Sequence, residues 1–370
     1  MIIIKVLHVI SGNDNGGGGI HVLNTFKRKI DGLELELCLI GEGELVKKAE
    51  RENQPFKYVK NKVNNLELIK IINEGNYNIV NFHGARACLV HKRIKNKINV
   101  NTVVTVHSNF NTDFESKNII KRYMATKLFK SSLKDFDNYI VVSKYLEKLL
   151  NEEKISKFAY KVYNGVDYRK MEGDISLHPE LVEELGESFV FGAISRMNPV
   201  KNHLNMIRAF KKVIDDKIDV KLLLIGDGSE MDNIKKLIKE LDIEKNVILL
   251  GYKDKSYSYI PLFDLNILTS FSEGGVPPLS VLEGFVFKKT SIVSDVNGMR
   301  YILGDKVYYV DPNDVDSIYN AMLYAYKDEN RVEKGIICRD FLYNEFSIDK
   351  FCMRYYEAYN SIVSGGYNEK

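Results

Sequence analysis

The sequence has no tryptophan, only four cysteines and only seven prolines in 370 residues. Cys38, Cys88, Cys338 and Cys352 form no C-x-x-C pair and have no histidine at metal-ligand spacing. That excludes a disulfide scaffold and a zinc module, and reads as the reduced thiols of a cytoplasmic protein. No apolar run approaches the roughly 20 residues of a membrane-spanning helix, so any membrane role is expected to be peripheral. The apolar start, Met1 to Ile10, carries Lys5 in its middle and runs into Ser11-Gly12-Asn13 without a small-residue cleavage site. It reads as a first strand and not as a signal peptide. A formal net charge of only +3 argues against nucleic acid as a partner. Apolar residues, by contrast, are plentiful: 45% of the chain is hydrophobic, with 22 Tyr and 18 Phe. This is enough for two cores, and one domain of this length would be oversized.

Strand and helix signals alternate along the chain. Tyr77–Phe82, Asn101–Val106 and Tyr139–Ser143 read as strands in the first half; Ser188–Ile194, Val220–Ile225, Val247–Gly251, Asp264–Thr269, Thr290–Ser294 and Val307–Val310 do so in the second. Such βα repetition builds parallel sheets, hence an α/β fold. The first strand ends in the glycine loop Gly12–Gly19, followed by helical spacing from Ile20. A dinucleotide site would require an acidic residue closing the second strand, but Leu35–Ile40 ends in Gly41. The loop therefore reads as a backbone-donating lip or as a plain mobile loop. His83 and His107 each follow a strand at its carboxyl end, where open α/β sheets bind ligands. Either histidine could instead be bonded within the core.

In the second half, Arg196 and Lys201 share one loop just beyond a strand, where two cations can clamp one diphosphate. The most specific stretch is Ser270–Gly284, which sets Glu273 and Glu283 around a Gly274-Gly275 and Pro277-Pro278 turn opening into an apolar helix. The glycines let backbone approach a ligand closely, and the helix start at Pro278, Leu279 and Ser280 presents N–H groups to a phosphate.

These motifs, in this order, resemble the retaining glycosyltransferases of the GT-B fold, known as family four or glycosyltransferases group 1. Arg196 and Lys201 match the family's G-R-x-x-x-x-K spacing, with Ser195 in the glycine position. Thr105-Val106-His107 matches T-x-H, and Asn164-Gly165-Val166-Asp167 matches a segment leading to the interdomain linker. The signature E-G-x-G-x-x-x-L-E has seven residues between its glutamates, whereas nine separate Glu273 from Glu283. The resemblance implies two facing Rossmann-like, doubly wound domains with an interdomain cleft. The first spans 1–168 on the acceptor side and the second 169–347 on the nucleotide-sugar side, with a turn-rich stretch from Met171 to Pro179 at the boundary. The terminal helix of about 348–370 either packs back on the first domain or stays with the second. The resemblance further implies a nucleoside diphosphate sugar donor, with uridine as base by family frequency. Arg196 and Lys201 would neutralise the leaving diphosphate, with Glu273 and His107 at the donor sugar and Glu283 on the ribose. Gly17, Gly18, Gly274, Gly275, Pro278, Leu279 and Ser280 would line the donor, and Tyr252 and Lys253 the base. No cofactor or metal is expected: Asp135-Phe136-Asp137 precedes a strand and Asp314-Val315-Asp316 opens a helix, so neither D-x-D sits at a strand end. Two rival readings on the same architecture are a nucleotide-sugar 2-epimerase and a non-catalytic sugar binder.

Between Arg86 and Lys134, eleven Lys and Arg face only Asp113 and Glu115. In the segment from Lys117 the apolar residues Ile120, Met124 and Leu128 share one helical face among lysines. The pattern fits a peripheral contact with an anionic membrane or a phosphate-bearing acceptor, such as a lipid-linked or cell-surface glycan, and fits equally a core-facing helix with a solvated basic back.

Overall fold

The computed structural model describes residues 3–14, 16–60, 65–111, 118–175 and 178–365. The chain divides into two compact units, Met1–Gly165 with Ile348–Lys370, and Val166–Ser347.

The first unit is built on seven strands: β1 (Ile4–Ser11), β2 (Leu33–Ile40), β3 (Lys57–Val59), β4 (Ile79–His83), β5 (Asn101–Val106), β6 (Asn138–Val141) and β7 (Tyr160–Lys161). All pair in parallel, in the order β3-β2-β1-β4-β5-β6-β7. β4, Ile-Val-Asn-Phe-His, is buried at every position, as a strand covered on both faces must be. Period-2 alternation sorts its neighbours between two apolar layers. Leu7, Val9, Phe82 and Val104 pack with Cys88 and Val90 of the helix Gly84–Ile94 and with Phe129 and Leu133 of the helix Ile119–Leu133. Val6, Ile79, Val103 and Ile140 pack on the other side with Phe351, Tyr355 and Tyr359 of the helix Ile348–Val363. The terminal helix thus supplies a face of the first unit's core. A buried ring such as Phe351, fully enclosed here, stabilises by roughly 1.5–3 kcal/mol.

The second unit carries β8 (Phe189–Ile194), β9 (Val220–Ile225), β10 (Val247–Gly251), β11 (Leu265–Leu268), β12 (Ser291–Ser294) and β13 (Tyr308–Val310). They too are all parallel, ordered β10-β9-β8-β11-β12-β13. Phe191, Leu222 and Leu224 pack against Met206, Phe210 and Val213 of the helix His203–Asp215, while Val190, Leu223 and Ile225 pack against Leu181, Leu185 and Phe263.

One local expectation is corrected. The stretch from Met171 to Pro179 was expected to be turns, but helices span Tyr168–Gly173 and Pro179–Leu185; Ser176 and Leu177 lie outside the described residues. Pro179 occupies the first turn of its helix, where its fixed φ suits the helix and its missing N–H has no intrahelical partner to lose. Leu181 and Leu185, four residues apart, then share the face that packs on Val190 and Phe263.

Both sheets reverse direction of growth once. In the first the chain runs from β1 out to β3 and returns to β4 on the other side of β1; in the second it runs from β8 out to β10 and returns to β11. The crevice at the carboxyl ends of β1/β4 and of β8/β11 is the topological switch point, where such sheets receive ligands.

Candidate functional site

At the β1/β4 switch point of the first unit, the glycine loop is anchored and not simply mobile. The Asp14 carboxylate accepts the backbone N–H of Gly16 at 3.0 Å and of Gly19 at 2.9 Å, at the start of the helix Gly17–Asn24. A carboxylate therefore already occupies this helix N-terminus, which leaves it a poorer anion site than the glycine pattern implied. Gly12 presses on its neighbour so closely that a Cβ there would fall 1.9 Å from the Gly41 carbonyl oxygen. Gly18 lies on the His107 ring: a Cβ on Gly18 would stand 3.6 Å from His107 Cδ2. The structure thus brings Gly18 and His107 together. Arg86, at the start of the helix after β4, donates to the Ser11 hydroxyl at 3.2 Å and lies beside Gly41, which puts a half-buried guanidinium at the same edge.

Among the described residues, the partner of the His107 ring is another imidazole and not backbone. His107 Nε2 meets His83 Nδ1 at 2.9 Å, and His83 Nε2 meets His8 Nδ1 at 2.9 Å. Burial and the neighbouring imidazoles hold His83 far below the usual histidine range, and burial lowers His8 to about 3 and His107 likewise. All three are neutral at physiological pH. His83 is buried and cannot touch a ligand directly, whereas His107 is half-buried.

The second unit's edge carries charge. Lys201 Nζ lies 2.5 Å from Glu273 Oε1, and both side chains are largely buried. Glu273 is therefore a partnered, buried carboxylate and not a solvated loop residue. Its backbone N–H donates to Asn297 Oδ1 at 2.7 Å. The loop after β8 and the loop after β11 are stitched together: Asn202 Nδ2 donates to the carbonyls of Thr269 at 3.1 Å and Pro312 at 2.7 Å, and Phe271 N–H donates to the Val200 carbonyl at 2.8 Å. Asn202 adopts φ 57°, a left-handed conformation that asparagine tolerates better than most residues. Arg196 is exposed, and among the described residues its guanidinium has no hydrogen-bond partner. Ser195, the residue that departs from the family's glycine, points its hydroxyl at His203 Nε2, 3.0 Å away. The Gly226-x-Gly228 turn after β9 presses on this loop, since Cβ atoms there would stand 1.9 Å from the Ser195 oxygen and 2.3 Å from that of Met197. Those glycines shape the backbone that carries Arg196.

A model described as "Glycosyl transferases group 1" matches residues 178–336, and one described as "Glycosyltransferase Family 4" matches residues 45–170. The chain belongs to this glycosyltransferase family. A similar protein is the Escherichia coli UDP-Gal:alpha-D-GlcNAc-diphosphoundecaprenol alpha-1,3-galactosyltransferase, 26% identical over 80% of this chain and 79% of the relative. Another is the N-acetyl-alpha-D-glucosaminyl L-malate synthase of Bacillus anthracis, 29% identical over 62% of each chain. Among solved structures, Anabaena HepE in complex with UDP-glucose superposes with a TM-score of 0.83 at 16% identity, covering 97% of this chain and 100% of that one. The two Rossmann-like units are those of a GT-B glycosyltransferase.

In this glycosyltransferase the remaining expected residues fall around β10 and β11. Val276–Pro277 is a cis peptide, Pro278 caps the helix Leu279–Val286, and Leu279 and Ser280 open it. Gly274 and Gly275 lie in the bend between Glu273 and this helix. Glu283 is half-buried one turn into the helix, and its charge reaches Tyr257, whose hydroxyl donates to Asp174 at 2.7 Å. Tyr252 is exposed and Lys253 half-buried after β10. Of the D-x-D residues, Asp135 pairs with Lys92 and Lys95, Asp137 accepts from Thr102, and Asp314 caps the helix Val315–Lys327. The basic helix faces the core only in its last turns. Ile120 and Met124 are exposed, as are Ile119, at 86%, and Tyr123; only Phe129, Ser132 and Leu133 are buried. Asp113, Glu115 and Lys117 lie outside the described residues. Sequence reasoning missed the roles of Asp14, which binds backbone two and five residues on, and of Arg86, Asn202 and Asn297, ordinary polar residues whose partners lie farther along the chain.

Proposed function

We propose that the protein is a retaining glycosyltransferase that moves a sugar from a UDP-sugar to a lipid-linked or polysaccharide acceptor. The observation that carries this reading is the charged edge at β8/β11, where Arg196 and Lys201 sit on one stitched loop facing Glu273. The UDP-glucose complex of the structural neighbour HepE and the diphosphoundecaprenol acceptor in the name of the Escherichia coli relative support the donor and acceptor classes.

On this reading the diphosphate binds Arg196 and Lys201, and the first turn of the helix Leu279–Val286 adds its dipole. Glu283 holds the ribose, Gly274 and Gly275 approach the donor sugar, and Tyr252 and Lys253 flank the base. Glu273, once the diphosphate draws Lys201 toward it, faces the sugar that gains positive charge. The bond from the anomeric carbon to the diphosphate oxygen breaks, and the acceptor oxygen bonds to that carbon on the same face. Its proton leaves with the departing phosphate, so configuration is retained and no metal is needed. The acceptor falls to the first unit, whose edge residues His107, Gly17 and Gly18 serve the donor, His107 at its sugar.

The exposed apolar face of the helix Ile119–Leu133, with Lys121, Arg122 and Lys127 around it, lies on an anionic membrane surface from the cytoplasmic side. No helix among the described residues is long and apolar enough to cross a membrane.

The test is turnover with a panel of nucleotide sugars and an undecaprenyl-diphosphate-linked acceptor, with product stereochemistry read by NMR of the anomeric proton. The α-linked product from an α-linked donor is expected. Conversion of donor to an epimer without acceptor would replace this reading with the epimerase.

A further inference from the structure

His8 on β1 and His83 on β4 stand beside His107, the residue that follows β5, and alternation puts all three on one face. His8 pairs in register with Asn81, and His83 with Thr105. With Val6, Ile79 and Val103 on the same face, the stripe runs from apolar at its base, through His8, Asn81 and Thr105, to His83 and His107 at the carboxyl edge. Tyr355 and Tyr359 of the helix Ile348–Val363 cover it.

The hydrogen bonds in this stripe have one consistent direction. The Thr105 hydroxyl donates to Asn81 Oδ1 at 3.0 Å, so the Asn81 amide nitrogen is the donor to the Tyr359 oxygen at 2.7 Å. The Tyr359 proton is then left for His8 Nε2, 3.2 Å away. A neutral His8 that accepts at Nε2 carries its proton on Nδ1 and donates to His83 Nε2; His83 in turn donates from Nδ1 to His107 Nε2. The proton of a neutral His107 must therefore sit on Nδ1, the one ring N–H the string does not consume. A side branch meets the string at Thr105 Oγ1, 3.4 Å from the Tyr355 oxygen: His21 Nδ1 donates to Asn164 Oδ1 at 2.9 Å, so its Nε2 accepts from Tyr355 at 2.7 Å and the Tyr355 proton stays with His21.

We propose that His8 and His83 are positioning residues that lock His107 as the neutral Nδ1–H tautomer, so that the first unit offers an uncharged donor to a substrate oxygen. The tautomer follows from the hydrogen bonds alone; the identity of the oxygen, a sugar or acceptor hydroxyl, rests on the glycosyltransferase reading. A neutral donor orients that hydroxyl without placing a cation beside an anomeric carbon that is itself gaining positive charge. The hydrogen bond made by one imidazole nitrogen fixes what the other offers, and here two further imidazoles set it.

The experiment uses the full chain labelled with 15N-histidine, read by two-bond proton–nitrogen correlation, which separates Nδ1–H, Nε2–H and the cation. His8, His83 and His107 are each expected as Nδ1–H at pH 7.5. His107 found as Nε2–H, as a cation or as a tautomer mixture overturns the proposal. His83→Leu removes the donor to His107 and is expected to release a tautomer mixture there, with kcat down roughly tenfold, the loss of one well-placed hydrogen bond, and the donor KM little changed. His83→Gln, whose amide can still donate, retains most of the activity. A folded His83→Leu protein with His107 still Nδ1–H and kcat unchanged also overturns it, and if that variant does not fold the wild-type spectrum decides alone. Absence of turnover in the wild type with the predicted tautomers intact would count against the glycosyltransferase reading and not against the string.

Discussion

The carboxyl edges of the two sheets are built on the same topology with opposite electrostatics. The first ends in imidazoles that burial holds neutral, and its helix N-terminus already contains the Asp14 carboxylate. The second ends in an exposed arginine and a buried lysine–glutamate pair, on loops tied together by Asn202. A diphosphate brings negative charge that the second edge can match with two cations, Arg196 and Lys201, where the first edge brings Arg86 together with the Asp14 carboxylate, whereas a sugar or acceptor hydroxyl needs a donor without a charge. A doubly wound sheet fixes where a ligand sits; the residues placed at its edge decide which part of the substrate it receives.

The largest break in this contrast is expected from Lys201→Ala. Turnover should fall roughly 100-fold or more, as for loss of a preorganised electrostatic group. Because Glu273 would be left buried without its partner, stability should fall as well, by about 3 kcal/mol. Adding Glu273→Ala should restore the melting temperature but not the rate. Steady-state kinetics beside denaturant melts check both, and an unchanged melting temperature in the single variant would mean that the pair does not persist in solution. Arg196→Ala should lose turnover on a similar scale, roughly 100-fold, with its melting temperature unchanged, since the side chain is exposed.

The neutral edge should fail in acid. His8 is held at about 3, and His21 and His83 well below the ordinary value, so as pH falls below about 6.5 the unfolded chain takes up protons before the folded one. The stabilisation is full above that pH and is lost toward the folded values, at up to about 1.4 kcal/mol per pH unit for each histidine. The second unit has one comparable group, His203, lowered to about 4 by burial and then by Lys201. Hydrogen exchange at pH 7.5 and 5.5 should show protection lost in β1, β4 and β5 before β8 and β11. Loss in the reverse order would contradict the neutral string.

How far the sequence alone revealed this contrast differs between the two edges. The buried runs of β4 and β11 and the placement of Arg196, Lys201 and Glu273 beyond strand ends could be read directly, because apolar periodicity and loop spacing are local. The Lys201–Glu273 pair was hidden, since 72 residues separate its members and only the β8/β11 adjacency joins them. The histidine string was hidden for the same reason: each strand shows its period of two, but the order β1-β4-β5 is what aligns residues 8, 83 and 107. β3 and β7 have three and two residues, too few to show any period. The helix Ile119–Leu133 was ambiguous because one pattern serves a core face and a membrane face, and the sequence does not show that Ile119, Ile120, Tyr123 and Met124 are exposed while Phe129 and Leu133 are buried.

Smaller effects sharpen the assignment within the charged edge. Glu283→Ala should weaken UDP and the full donor alike, since both contain the ribose. Glu273→Gln should spare UDP and depress turnover, because its contact is with the sugar in the transition state. Equal losses of UDP affinity in both would merge the two roles. The smallest effect on catalysis with a soluble acceptor analogue is expected from reversing Lys121, Arg122 and Lys127 to Glu. That variant should lose salt-sensitive sedimentation with vesicles containing phosphatidylglycerol and leave UDP affinity unchanged. Sedimentation equal to wild type would remove the membrane contact.

The central claim, that the diphosphate belongs to the charged edge, is tested most directly by calorimetric titration of UDP and of uridine into the wild type and Arg196→Ala. The account predicts that the substitution weakens UDP by roughly 10- to 100-fold, the scale of a charge-assisted hydrogen bond, and leaves uridine unaffected. Equal UDP affinity in the two proteins would contradict it.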